Sequence, residues 1–458
     1  MIQAPERGTY LIDGGTIISV DPRIGTLERG QVLVADGAIA DVGSGIDAPH
    51  AERIDATGMI VMPGLVDSHS HMWSSIGRNF IAEGYGYFAA KGDTGPHYEP
   101  DDFYAGVLLG AIESLAAGIT TVHNWSHNIL SPAHADAEMR ALTDALIRAR
   151  YSYGHHDALP PDEALSFDDI DRVRAEWFAG GASAEGLITL GVNLRGPDYA
   201  TRGVFREELT QARKRGLPVS IHAEQGGSTR VDAVELEHLG HLGRDFLICH
   251  YLPARDDDMH AMARAGTPLS FAVHSELKLA VAGDPRDALL RFRDAGVTVS
   301  FSTDATSVGP INLFEAMNVA WNTGIPWQGT RTAHSAPLTF AQCIEMATIN
   351  GARALNLDGR VGSLSPGKRA DLIAVRATDL NVAPVGDAES SIVRSVTPSN
   401  VDTVMVDGRI VKRGGRLVAH DAQRIVTAAT AAAAAVRGRT DAARRAADHD
   451  PVVDHAQR

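Results

Sequence analysis

The chain has 458 residues, 44% hydrophobic and 22% charged, a balance ordinary for a soluble globular protein. Its net charge of −15 argues against a nucleic-acid or anionic-membrane binder, because a phosphate backbone needs a basic face. The length suggests two or three domains, or one large α/β barrel with an appendage. With only Cys249 and Cys343 there is no disulfide framework and no cysteine-based zinc site. The opening MIQAPERGTYLIDGG lacks the basic-then-apolar pattern of a secretory leader, and no apolar run reaches transmembrane length. A reducing cytoplasm is the expected compartment, and no membrane is expected as a partner.

Residues 8–62 read as short strands separated by turns (TYLIDGGTIISV, GQVLVADGAIADVG, ATGMIVMPG), with Gly and Asp as hairpin punctuation. The same texture returns in ADLIAVRA (370–377) and VDTVMVDGRIVKRGGRLV (401–418). These two pieces, 1–62 and 361–420, predict one small β-sandwich assembled from both ends of the chain. Between them, over 63–360, apolar runs recur at 60–67, 118–124, 151–154, 187–194, 217–223, 246–252, 267–273 and 297–304. Most follow an amphipathic stretch that closes on glycine, as in ELTQARKRG, DMHAMARAG and LLRFRDAG. Glycine there fits a left-handed helix C-cap leading into the next strand. Strands alternating with helices in this number predict a (β/α)8 TIM barrel. The alanine-rich stretch from 421 to 458 predicts a helix with a frayed end.

Catalytic groups of such a barrel sit where its strands end. The first strand ends in Asp67-Ser68-His69-Ser70-His71, the fifth in His222, the sixth in His250 and the eighth in Asp304. Residues two apart on a strand share a side, so His69 and His71 can both aim into the barrel mouth. Those two imidazoles, a third at His222 and the carboxylate of Asp304 make a donor set suited to zinc, with iron or manganese as alternatives. One divalent ion there would bring a water's pKa toward neutrality and supply a hydroxide nucleophile.

VMPGLVDSHSH resembles the first-strand signature of the amidohydrolase superfamily, and GSLSPGKRADLIAV is similar to that family's returning β-segment. RGP after the fourth strand and SELKLA (275–280) resemble the branch of cytosine and guanine deaminases and triazine (chloro)hydrolases. The resemblance extends to about Leu417. It implies a mononuclear metal held by His69, His71, His222 and Asp304. It implies that His250 polarises the substrate's carbonyl or developing oxyanion, and that Asp304 also accepts the water's proton. LITLGVNL contains no lysine, which speaks against the carbamylated-lysine binuclear subtype. The implied activity is hydrolysis of a C–N bond in a small cyclic or heteroaromatic compound, by deamination or by ring or amide cleavage. Loss of a halide or thioether on the same scaffold and a non-catalytic scaffold relative are the alternatives. The resemblance also carries the expectation of a homo-oligomer.

One departure concerns the proton carrier. Deaminating members keep His-x-x-Glu at the fifth strand, whereas here the last position is Gln225, which cannot exchange that proton at neutral pH. Glu224 can replace it if the strand continues and puts it on the same face as His222; if the chain turns first, Glu224 faces solvent. Glu276 stands where relatives often have asparagine. Further candidates for substrate contact are Trp73, Trp125, His127, Gln225 and His274, with Trp125 suited to stacking on a planar ring. His123 is weighed beside His127. Cys249 is expected to face away from the site, into the layer between barrel and helices. The long loop 74–102 has the make-up of a lid or substrate wall.

Overall fold

The computed structural model describes residues 5–279, 283–323 and 336–448. Strands β1 (Tyr10–Ile18), β2 (Thr26–Ala35), β3 (Ala38–Gly43), β4 (Glu52–Asp55) and β5 (Met59–Pro63) come from the beginning of the chain. After them run β6 (Leu65–Ser70), β7 (Ile119–Ser126), β8 (Arg148–Tyr153), β9 (Ile188–Leu194), β10 (Val219–His222), β11 (Phe246–Cys249), β12 (Leu269–Phe271) and β13 (Val299–Phe301). The last four are β14 (Leu372–Arg376), β15 (Val401–Val406), β16 (Arg409–Arg413) and β17 (Arg416–Leu417).

Strands β6 to β13 pair in chain order as eight parallel strands in a nearly closed TIM barrel. Their residues are buried almost throughout, as expected for parallel strands covered by helices on one face and packed side chains on the other. Between β13 and β6 the ring is drawn together by a single bridge, Ser70 with Asp304. There the Asp304 N–H donates to the His69 carbonyl and the His71 N–H donates to the Asp304 carbonyl, each at 2.9 Å. The closing stitch of the barrel therefore consists of the very residues the sequence nominates as ligands.

The other nine strands form one mixed sheet from the two ends of the chain, with β5 lying between β1 and β14. It buries an apolar cluster of its own, including Ile12, Val32, Val61, Leu372 and Met405. The run 60–67 thus divides between two sheets at Gly64. A Cβ at that position would lie 2.1 Å from Thr120 Oγ1, so only glycine lets the chain pass there. The third strand lies a few residues earlier than expected, and His155 and His156 fall in the loop beyond it.

The loop after β6 is ordered into a 3-10 turn (Met72–Gly77) and helix α1 (Tyr87–Thr94). The alanine-rich segment forms a helix, Ala422–Asp448, and residues 449–458 of the expected frayed end lie outside the described residues. That helix packs across the lid loop. Arg437 stacks on Phe80 at 4.6 Å, Arg439 Nε donates to the His97 carbonyl at 2.7 Å, and Arg444 bonds Asp93 at 2.6 Å. Among the described residues no helix is long and apolar enough to cross a membrane.

Candidate metal and active site

The C-terminal ends of the barrel strands surround a cavity of roughly 910 Å³ lined by His71, His127, His222, Glu224, Gln225, His250 and Asp304, among others. Ligand atoms of His69, His71 and Asp304 lie within 4.8 Å of one another, and so do those of His69, His222 and His250. Asp304 Oδ1 is 3.2 Å from Nε2 of both His69 and His71, while the Nε2 atoms of His69 and His222 are 3.3 Å apart. His71 Nδ1 lies 3.3 Å from the Trp125 carbonyl; donation of its proton there leaves the Nε2 lone pair facing the carboxylate. Burial lowers the pKa of His69 to about 3 and holds His222 well below its ordinary value, so both rings are neutral. Burial works against the charge of Asp304, yet its bonds with His69 and His71 keep the carboxyl well below the usual range. Neutral imidazoles and an ionised carboxylate, with their ligand atoms converging, are the protonation states that metal binding demands. The residues present fit a divalent ion.

Supporting groups fix these side chains. Ser275 Oγ donates to Asp304 Oδ2 at 2.5 Å, leaving Oδ1 to the histidines. The buried Asp67 accepts from the backbone N–H groups of His69 and Thr303 at 3.2 and 3.1 Å, tying β6 to the end of β13; burial lifts its pKa to about 7. His250 follows β11 with φ of 71°, which swings its ring back over the mouth. Its Nδ1 is 2.9 Å from Glu276 Oε1 and its Nε2 is 3.8 Å from Glu224 Oε1. Burial opposes charge on His250, but Glu276 outweighs it, with help from Glu224 and Asp304, and raises the pKa to about 10. Glu276 therefore supplies a counter-ion that keeps His250 a donor.

The direction of Glu224 is settled by the preceding connection, between β9 and β10. Asp198, just after RGP, accepts the backbone N–H groups of Glu224 and Gln225 on Oδ2 at 2.7 and 2.9 Å. Held in this way the chain presents both side chains to the cavity, and Glu224 Oε2 also accepts from the Tyr199 hydroxyl at 3.1 Å. Burial pushes Asp198 up to about 7. Sequence reasoning passed over Asp198, Tyr199, Ser275 and Asp67. Asp67 and Ser275 lie inside quoted motifs and Asp198 and Tyr199 directly follow one, but nothing local says what they reach.

Other expected contacts differ. Trp125 is fully buried and does not line the cavity: it lies 4.1 Å beneath the His222 ring, nearly parallel to it, and so backs that imidazole. Trp73 is stacked on Phe103 and donates to His127 Nδ1 at 3.2 Å, also outside the cavity. His274 packs against Gly309 and does not line it either. His123 is sealed between the Ser68 carbonyl and Ser152 Oγ at 2.8 and 2.9 Å. Cys249, expected outside the barrel wall, clusters with Val66, Leu247 and Trp125. Strand alternation does not carry past Cys249, because the left-handed turn at His250 puts neighbouring residues toward the same interior. Ala280, the last residue of SELKLA, lies outside the described residues.

A family model described as the amidohydrolase family matches residues 60–411. A 5-methylthioadenosine/S-adenosylhomocysteine deaminase from Symbiobacterium thermophilum is 32% identical over 88% of this chain and 93% of its own. A 5'-deoxyadenosine deaminase from Methanothermobacter thermautotrophicus is 30% identical over 93% of this chain and all of its own. Among solved structures, an adenosine deaminase from Xanthomonas campestris with bound zinc superposes with a TM-score of 0.81 at 22% identity, covering 95% of this chain and 100% of that one. A zinc complex of atrazine chlorohydrolase from Arthrobacter aurescens gives 0.79 at 21%, covering 93% and 100%. Both share the fold.

Proposed function

The chain belongs to the amidohydrolase family, and from that premise we propose that it is a zinc-dependent deaminase of 6-aminopurine nucleosides. The observation that carries this reading is the carboxylate of Glu224, turned into the cavity 3.8 Å from His250 Nε2. The proton carrier that Gln225 cannot be is thereby present one residue earlier. The adenosine-type activities in the names of the similar deaminases support the choice of ring. His69, His71, His222 and Asp304 would hold the ion, which supplies Lewis acidity and a water acidified toward neutrality.

The remaining steps belong to the chain's own side chains. Asp304 takes a proton from the attacking water as its oxygen bonds the amino-bearing ring carbon. Glu224 places a proton on the adjacent ring nitrogen, so the ring accepts the electron pair without building negative charge. The His250 imidazolium, kept charged by Glu276, donates from Nε2 to the oxygen that becomes the carbonyl. Asp304 returns its proton to the departing amine, the C–N bond breaks and ammonia leaves, while the hydroxyl proton passes to Glu224 as the carbonyl forms and restores its acid form. Two buried free thiols suit a reducing compartment such as the cytoplasm, and a homo-oligomer follows from the family resemblance.

The test is ammonia release from a panel of purine nucleosides, pyrimidines, pterins, triazines and lactams, with the metal content of the protein measured alongside. One metal per chain with ammonia from 6-aminopurine nucleosides is the expected result. Release of chloride or a thiol, or a metal-supplemented protein that binds no ion, would overturn the proposal.

A further inference from the structure

The chemistry above uses only the floor of the cavity, whose mouth has a different character. Phe88 of α1, half-buried Leu159 with the exposed Pro160 and Pro161 in the loop after β8, buried Leu252 after β11 and Leu279 at the end of the helix Val273–Leu279 all line it. Four separate segments thus bring apolar groups to one rim, with Phe88 left 50% exposed.

The charged groups of the same cavity are largely paired with one another, Glu276 with His250 and Asp157 with Lys91. Among the described residues it is lined by five carboxyl groups (Asp157, Asp198, Glu224, Glu276 and Asp304) and by two permanent cations, Lys91 and Arg195. Both cations are already engaged by groups of this chain. Arg195 Nη1 donates to the carbonyls of Leu159 and Pro160 at 3.0 and 2.7 Å, and its Nη2 to the Glu163 carbonyl and to Glu208 Oε1. The fork that would grip a carboxylate is occupied by the loop it supports, and the remaining Nε is sealed from solvent. Lys91 Nζ is 3.1 Å from Asp157 Oδ2. It is also 3.3 Å from His127 Nε2, but His127 Nδ1 already accepts from Trp73, so the single proton of that neutral ring sits on Nε2. His127 therefore offers the ammonium no lone pair, and Lys91 is bound to Asp157.

We infer that this mouth is a subsite for an uncharged, apolar substituent on the sugar end of the substrate. Such a group gains by leaving water against the leucine, proline and phenylalanine side chains. An α-amino-acid tail would instead bring a carboxylate into an apolar mouth, beside Asp157, and strip its hydration for little return. This inference rests on the nucleoside reading and narrows it: S-alkyl or S-aryl thioether nucleosides are taken in preference to those ending in a zwitterion.

The experiment compares two adenine nucleosides that differ only in a 5' methylthio or a 5' homocysteinyl group. A kcat/KM preference of about ten-fold or more for the uncharged compound is expected. Equal rates, or a preference for the zwitterion, overturn the inference while leaving the deaminase reading standing. Leu159→Arg and, at an exposed position that tolerates change, Phe88→Arg should each narrow the ratio by raising the zwitterion's rate; an unchanged ratio in both counts against the subsite. If neither nucleoside is deaminated, it is the deaminase reading that fails. Calorimetric binding of the same two compounds to the metal-loaded protein still decides the tail preference, with equal or tighter binding of the zwitterion overturning it.

Discussion

Two buried clusters of charged and polar groups, one at each end of the barrel, obey opposite rules. Below the barrel, where it meets the terminal sheet, Arg148 is 1% exposed and donates to Asp371 at 2.7 and 3.0 Å and to Asp407 at 3.2 Å. Asp407 is held in addition by Arg7 and Arg369 at 2.6 and 2.5 Å, and its backbone N–H donates to Asp371 at 2.8 Å. Every carboxylate there has a cation from this chain. At the other end, the Nε2 atoms of His69 and His222 face one another and the nearest charge is another acceptor, Asp304. A buried polar cluster that satisfies itself with its own cations is structure; one whose imidazole nitrogens converge on one another and on a carboxylate has the make-up of a cation site.

The largest effect in this contrast should come from His222→Ala, which is expected to abolish both stoichiometric metal and activity while the fold, followed by circular dichroism, persists. Retained metal would show that His222 only backs the site. Next, Glu224→Gln is expected to lower ammonia release by about 10²–10⁴-fold with metal content unchanged, the range of a lost general acid–base group. Gln225→Glu in the same background should restore part of the rate; if Glu224→Gln is silent, the proton travels by another path.

At the self-satisfied end, Arg148→Met should destabilise the protein by about 3–5 kcal/mol, since it leaves the buried Asp371 without its cation. Denaturant unfolding reads this, and a loss below about 1 kcal/mol would mean that the remaining arginines suffice. Ser275→Ala, which frees Asp304 Oδ2, should weaken metal affinity by about 10–100-fold, as removal of a ligand's hydrogen-bonded support commonly does. Chelator competition measures it.

The smallest effect concerns pH. Burial opposes the charge of Asp407, but Arg369, Arg7 and Arg148 more than offset this and hold it well below the ordinary carboxylate range. A depressed folded-state pKa contributes stability above the unfolded value, about 3.9, and that contribution is lost as pH falls through the folded value. The thermal midpoint of the metal-free protein should therefore drop below about pH 4, and Asp407→Asn should flatten the drop. An identical acid profile in the variant would assign the acid loss to other carboxylates.

Much of the site was legible in the sequence because it depends on short-range geometry. The two-residue spacing of His69 and His71 is the strand repeat itself, and His222, His250 and Asp304 each follow an apolar run that can only be a buried strand. The two-ended sheet was legible for the same reason, from hairpin punctuation at both ends. Trp125 shows the limit. As an aromatic beside histidines it reads as a substrate platform, yet strand pairing places it below His222, and no feature of TTVHNWSHN says which face is which. Cys249 fails likewise, because the positive φ at His250 is set by the turn and not by alternation.

The sequence by itself determined the barrel, the strand-end order of His69, His71, His222, His250 and Asp304, and the presence of Gln225 after the fifth strand, all consequences of local pattern and residue chemistry. Only the tertiary structure decided where Glu224 points, because that depends on Asp198, more than twenty residues away in the chain, gripping two backbone N–H groups. It alone decided that Glu276 is the counter-ion of His250, and that Arg195 and Lys91 are already engaged within a cavity they line. A residue's type states what it can bond; which partner it finds, and so what it has left to offer a ligand, is fixed only when distant segments fold together.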